Sequence, residues 1–373
     1  MRKKMRKMGV VLLAAMLALS LVLTGCGGQQ SADKQPAKPA AEKVKVAFIY
    51  VGPVGDAGWS YAHDQGRKFL EKEMPNVETT FVESVPEGAD AERVLTELAM
   101  KGNKIIFATS FGYMDYVLKV AQKFPDVTFL HCSGFKTAPN VGTYFGRIYQ
   151  ARYLAGMAAG KQTQANSIGY VAAFPIPEVV RGINAFTLGA QAANPNVKVK
   201  VVWTNTWYNP ATEKDAAKSL LDAGVDVIAM HQDTPAPMQA AEERGKFAVS
   251  YNTDMRSFAP KAILTGPVWN WGPYYVKTVK SIVDKTWKSD QYWGPMADQL
   301  VDIGPYGPMV SDDAKNLISK KKEEIVKGQW DVFTGPIKDQ QGNVKIQAGQ
   351  KMSDKEMLEF NWFVQGVEGT ISK

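Results

Sequence analysis

Short apolar runs alternate with helical periods along most of the chain. The runs VKVAFIY, VETTFVES, KIIFATS, VTFLHCS, SIGYVAA, VKVKVVWT, VDVIAMH and FAVSYN read as β-strands. Many are almost continuously apolar, the pattern of strands buried on both faces. Helical patterns lie between them. In DAERVLTELAMKG, Val94, Leu95, Leu98 and Ala99 form one face, and Gly102 is placed to end the helix. Strand and helix in alternation predict an α/β fold with parallel sheets.

The same grammar runs twice. VAFIY leads through a loop and a helix to EMPNVETTFVES, and IGYVAA leads likewise to ANPNVKVKVVWT. Beyond Pro-Asn-Val the two halves share little residue identity, and there is no short-period repeat. Two α/β lobes of similar plan are expected. In open α/β sheets ligands bind beyond the carboxyl ends of the strands, so two facing sheets converge on one cleft.

The first 25 residues follow a different rule. A basic start, MRKKMRK, precedes the apolar MGVVLLAAMLALSLVL and then LTGC. This is the form of a secretory signal, and the apolar run is short for a membrane span. LTGC resembles the lipobox of bacterial lipoproteins, which implies cleavage before Cys26 and lipid on its sulfur. Residues 26–44 carry the composition of a flexible linker. The expected product is a globular body held by lipid at the extracytoplasmic face of the cell membrane. Of the net charge of +7, five units come from Arg2, Lys3, Lys4, Arg6 and Lys7, which leaves +2. The basic balance therefore predicts no nucleic-acid partner. Cys132 is the one cysteine besides Cys26. No internal disulfide is expected, and Cys132 reads as a small buried hydrophobe.

The search for reaction chemistry finds little. There is no G-x-S-x-G, Walker A, H-E-x-x-H or paired C-x-x-C pattern, and the three histidines stand in separate segments. No catalytic set, metal or cofactor is expected. Aromatic residues at strand ends stand out instead. Trp59, Phe111, Phe174, Trp207 and Trp269 each follow a strand, accompanied by Asp56, Asp233 and Asn252. Flat faces hold a planar ligand; by analogy with nucleic-acid binders, stacking one base contributes ~1–3 kcal/mol. Carboxylates and amides then read its edge. Each residue also has a local reading: Trp59 as a cap on the helix it begins, Asp233 as an N-cap, Asn252 as an Asx-turn.

The segments GDAGWSYAHDQGR, ATSFGYMD, GTYFGRIYQARYLAGMAAG, NTWYNPATEKDAAKSLLDAGVDVIAMHQD and SYNTD, in this order behind a lipobox, resemble the basic membrane protein family of ABC-transporter receptors, also called purine nucleoside receptor A-like. The resemblance implies a type I periplasmic-binding fold: two Rossmann-like lobes with parallel sheets, joined by a three-stranded hinge. On that plan residues 45–146 and 253–300 form lobe I, and residues 147–252 and 301–373 form lobe II. It also implies delivery of a ligand to an ABC permease by a receptor that is expected to be monomeric. Trp59 and Trp207 fall where family members stack a purine. Asn252 stands where they hold ribose with an Asp, and Trp269 stands near their ribose-binding Lys. A purine base (adenine, guanine, hypoxanthine or xanthine) is therefore expected rather than a nucleoside. A nucleoside or sugar receptor, a surface purine hydrolase and a ligand-sensing subunit remain as alternatives.

Overall fold

The computed structural model describes residues 43–371; Cys26, the signal and most of the linker lie outside them. The first sheet takes β1 (Val44–Ile49), β2 (Val77–Val82), β3 (Ile105–Ala108), β4 (Thr128–Cys132) and β5 (Val141–Gly146). The second takes β6 (Ser167–Ala172), β7 (Lys198–Trp203), β8 (Val227–His231), β9 (Phe247–Val249) and β10 (Ile263–Thr265). Next come β11 (Pro267–Trp269), β12 (Gln291–Gly294), β13 (Val301–Ile303), β14 (Ile337–Lys338), β15 (Val344–Ile346) and β16 (Val367–Glu368). Two six-stranded sheets result, ordered β12-β5-β4-β3-β1-β2 and β10-β9-β8-β6-β7-β16. Every pairing within them is parallel. The central strands β3, β6 and β8 are buried almost throughout, which explains their unbroken apolar character.

The helices are α1 (Trp59–Glu73), α2 (Ala89–Met100), α3 (Met114–Lys123), α4 (Ile148–Gln162), α5 (Pro177–Ala193), α6 (Pro210–Asp222), α7 (Ala236–Glu243), α8 (Trp271–Val283), α9 (Asp312–Val326) and α10 (Asp354–Leu358). Helix α4 is buried on nearly every side against α5 and the hinge strands, so its sequence shows no single apolar stripe: small residues alternate with buried Tyr149, Gln150, Arg152 and Tyr153.

The chain passes between lobes three times. It leaves β5 for α4 at Gly146, returns through β11, and crosses again through β13, which pairs antiparallel with β11. The three segments meet at Gly146, where a Cβ would stand 2.3 Å from Val301 Cγ1 and 2.8 Å from Trp269 Cζ3. One expectation needs correction. The return crossing lies beyond Asn252, because β10 pairs with β9 and keeps residues 253–265 with the second sheet. Strand β5, VGTYFG, carries two glycines and no simple alternation, and its pairing with β4 and β12 decides its state. The C-terminal segment folds onto the second lobe, where β16 extends the sheet beside β7.

Candidate functional site

The carboxyl ends of both sheets face one cavity. It encloses about 340 Å³ and is lined by Val51, Trp59, Ser110, Phe111 and Ser133 from the first lobe, and by Glu178, Trp207, His231, Asp233 and Tyr251 from the second. The lobes touch across it: Thr253 Oγ1 donates to the Ala57 carbonyl, Ser133 Oγ donates to Glu178 Oε2, and Gly58 lies against the Asp233 backbone. The cleft is therefore closed.

Trp59 opens α1, with 8% of its surface exposed. Its Nε1–H donates to the Thr109 carbonyl at 2.6 Å, and His63, Trp269 and Trp271 meet its ring edge-on. One edge thus belongs to the core while another reaches the cavity. Asp56 has a different job from ligand contact. Its carboxylate accepts from the backbone N–H groups of Gly58, Ser60 and Tyr61 at 2.8–2.9 Å, which shapes the turn before α1. Burial pushes it up to about 6 against these hydrogen bonds. Trp207 is half-buried in the second lobe, packs against Phe174 at 5.0 Å, and has an Nε1 without a partner. Phe174 backs Trp207 and does not line the cavity.

Asp233 follows β8 and is 4% exposed. It does not cap α7, whose N-cap position is Pro235. Burial, then the charges of Asp56, Glu213 and Glu178, push its carboxyl well above the usual range, and Asn252 Nδ2 partly offsets this from 3.3 Å. Asn252 in turn accepts Trp269 Nε1–H at 3.0 Å on Oδ1. Asn252 and Trp269 are both buried, and neither lines the cavity. They form a second rank that orients Asp233.

The sequence reading missed Glu178, His231, Ser110, Ser133 and Tyr251. Glu178 lies in the first turn of α5, 3.6 Å from His231 Nε2. Burial alone would raise its carboxyl, but His231, Ser133 and the Arg181 charge hold it below the usual range. Burial pushes His231 down to about 4, aided by the nearby Arg152 charge. The neutral ring can point Nε2–H at Glu178, leaving Nδ1 without a partner. Beneath it, Arg152 lies 3.4 Å over the Tyr251 ring. Only the local Ile-Pro-Glu helix start marks Glu178 in sequence, and nothing local marks Ser133. Among the described residues, no group of three His, Cys, Asp or Glu side chains is placed to hold a metal.

The comparisons with known proteins agree with this architecture. Residues 43–332 match the family described as ABC transporter substrate-binding protein PnrA-like. A purine-binding protein of Brucella abortus is 49% identical over 88% of this chain and 94% of its own. A Haloferax volcanii protein, provisionally named as an ABC transporter glucose-binding protein, is 41% identical over 88% of this chain and 82% of its own. A solute-binding protein of an Aeropyrum pernix ABC transporter system superposes with a TM-score of 0.68 at 19% identity, over 85% of this chain and 98% of that one. One from Conexibacter woesei superposes at 0.62 and 21% identity, over 77% and 98%. These two neighbours carry the fold alone, the type I periplasmic arrangement of two lobes. The family is one of solute-binding proteins rather than enzymes, and this chain belongs to it: a PnrA-like substrate-binding protein of an ABC transporter.

Proposed function

We propose that the ligand is a purine base, bound in the interlobe cavity and passed to the permease by a receptor anchored through lipid on Cys26. The observation that carries this reading is the cavity wall, with Trp59 and Phe111 from one lobe, Trp207 from the other, and the acids Glu178 and Asp233 among them. A purine has two flat faces and an edge of N–H donors and acceptors, which matches aromatic walls with carboxylates between them. The relative named for purine binding supports the same class. The buried Asn252–Trp269 pair favours the base over a nucleoside, because an indole fills the place where relatives are expected to hold ribose.

Lobe closure is the working step. A ligand favours the closed form only by its differential affinity for it. Isothermal titration of the detergent-solubilised full chain against adenine, guanine, hypoxanthine, xanthine, adenosine, inosine and glucose tests the proposal. Binding of at least one base, tighter than its nucleoside, is expected. Tight nucleoside binding without base binding, or binding of glucose alone, would overturn it.

A further inference from the structure

The interlobe space has two chambers, and Glu178 stands where they meet. It lines the cavity described above and a second one of about 560 Å³, which Phe111, Ser133, Arg181 and Trp293 also line. Its hydrogen bonding is incomplete. Oε2 accepts Ser133 Oγ–H from the opposite lobe. Oε1 lies 3.6 Å from His231 Nε2, beyond an ordinary hydrogen bond. An ionised carboxylate offers about four acceptor positions, and a buried charge is costly until donors fill them. Arg181, one turn along α5, supplies charge but spends its Nη1–H on the Met357 carbonyl and packs its guanidinium over Trp293. Among the described residues, Glu178 therefore has one close donor, and the rest of its capacity opens on the cavity.

Ser133 is a fixed partner. It sits at the end of β4 with φ at 70°, a left-handed conformation that is uncommon outside glycine. Its N–H donates to the Tyr144 carbonyl at 3.0 Å. The next residue has no room for a side chain, since a Cβ on Gly134 would stand 1.9 Å from His131 Nδ1. His131 also reaches the Ser110 carbonyl through Nε2 at 2.7 Å, so one buried ring steadies both hydroxyl-bearing loops of the first lobe.

The geometry points to Glu178 as the residue that receives an N–H of the ligand and, through Ser133, couples that contact to closure of the lobes. This rests on the purine-base reading of the same site. It makes Glu178 a determinant of specificity. A heteroaromatic edge with a ring N–H or an exocyclic amine completes its shell. An edge of acceptors alone sets lone pairs against a buried anion and is rejected. Ser133 reaches Glu178 only when the lobes meet, so open and closed forms differ at the carboxylate that touches the ligand.

The test is calorimetry on the detergent-solubilised full chain with adenine, hypoxanthine and isosteres that replace one N–H donor at a time by C–H. Sites built to hydrogen-bond a group reject analogues lacking it strongly, so wild type is expected to lose at least about thirtyfold for one isostere. Glu178→Gln is expected to weaken the parent base by about thirtyfold and to shrink that isostere's penalty to about threefold, as a neutral amide replaces the anionic acceptor. Ser133→Ala is expected to weaken the parent base by about fivefold while keeping the penalty, because it removes one closing hydrogen bond and leaves the reader in place. A Glu178→Gln protein with unchanged affinity and unchanged penalty would overturn the assignment. If that variant does not fold, Ser133→Ala decides: unchanged parent affinity overturns it. Failure of the purine reading is visible separately, as wild type binding none of the bases.

Discussion

Gly58 gives the sharpest test of closure. It ends the loop before α1 on the first lobe, and across the cleft it meets the Asp233 backbone of the second. A Cβ built on Gly58 would lie 2.3 Å from the Asp233 carbonyl oxygen, 2.8 Å from its carbon and 2.9 Å from its Cα. Backbone cannot rotate aside as a long side chain can, so Gly58→Ala requires the lobes to part by about 1 Å to reach ordinary contact. Overpacking of this kind costs about 1–3 kcal/mol. The clash is with the second lobe, because the three nearest atoms all belong to Asp233, so it weighs on the closed form. With tenfold for every 1.4 kcal/mol, affinity should fall by about five- to 150-fold. Thermal unfolding gives a second reading. Ligand at a hundred times the wild-type dissociation constant adds ~2.7 kcal/mol, while the same concentration adds only ~0.4 kcal/mol to a variant weakened a hundredfold. The ligand-free midpoint should move by less than about 2 °C, since the clash is absent when the cleft is open. Two results would refute the reasoning: unchanged affinity, or a large loss of ligand-free stability. The second would mean that the contact is not confined to the closed form.

Other consequences follow from the same geometry. Trp207→Ala should weaken ligand at least about tenfold with little change in ligand-free stability, because Trp207 is half-buried at the cavity wall. Trp59→Ala should weaken ligand and also lower the melting midpoint, since its ring packs in the core and loses the Thr109 hydrogen bond; calorimetry with and without ligand separates the two effects. Burial pushes His131 down to about 4, so the stability carried by its neutral ring is full above pH 6.5 and is lost as pH falls from 6.5 through about 4. Wild type should therefore lose about 1.5 kcal/mol more than His131→Gln between pH 6.5 and 5, measured by denaturant unfolding, and equal losses would reject this. Asp354→Ala removes the two-pronged pair with Arg147 near the hinge and should weaken ligand by no more than about fivefold in calorimetry, because Asp354 is largely exposed.

Much of the lobe architecture was legible because its signal is local. Strands such as IIFA and VIAMH are apolar for the same reason that they are central: helices cover both faces. Among the strands that escaped notice, β5 and β12 mix glycine and aromatic residues and owe their state to each other's edges. The lobe boundary near Asn252 was misplaced because β10 is only three residues long, and its allegiance is set by pairing with β9. The site divides along the same line. Trp59, Phe111, Trp207 and Asp233 announce themselves as aromatic or acidic residues just past strands, and they line the cavity. Asp56 looked identical in sequence, yet its oxygens are consumed by three backbone N–H groups. Glu178 and Ser133 lie 45 residues apart on different lobes. Their pairing exists only when the lobes close, so no local pattern encodes it.

The division of labour between the lobes has an energetic consequence. The first lobe brings two aromatic rings and two serine hydroxyls to the cavity; the second brings Glu178, Asp233 and His231. Closing the cleft without ligand buries Asp56 and Asp233; burial raises both carboxyls, and for Asp233 the charges of Asp56, Glu213 and Glu178 raise it further. Part of the closing energy is thus spent on desolvating acids. A ligand that donates N–H groups to the second lobe offsets that cost in the closed form, whereas in the open form water already satisfies the same acids. Stacking on Trp207 is available before the lobes meet. The polar edge of the ligand therefore supplies the preference for the closed state, and the aromatic faces supply affinity in both states, which is the differential that closure requires.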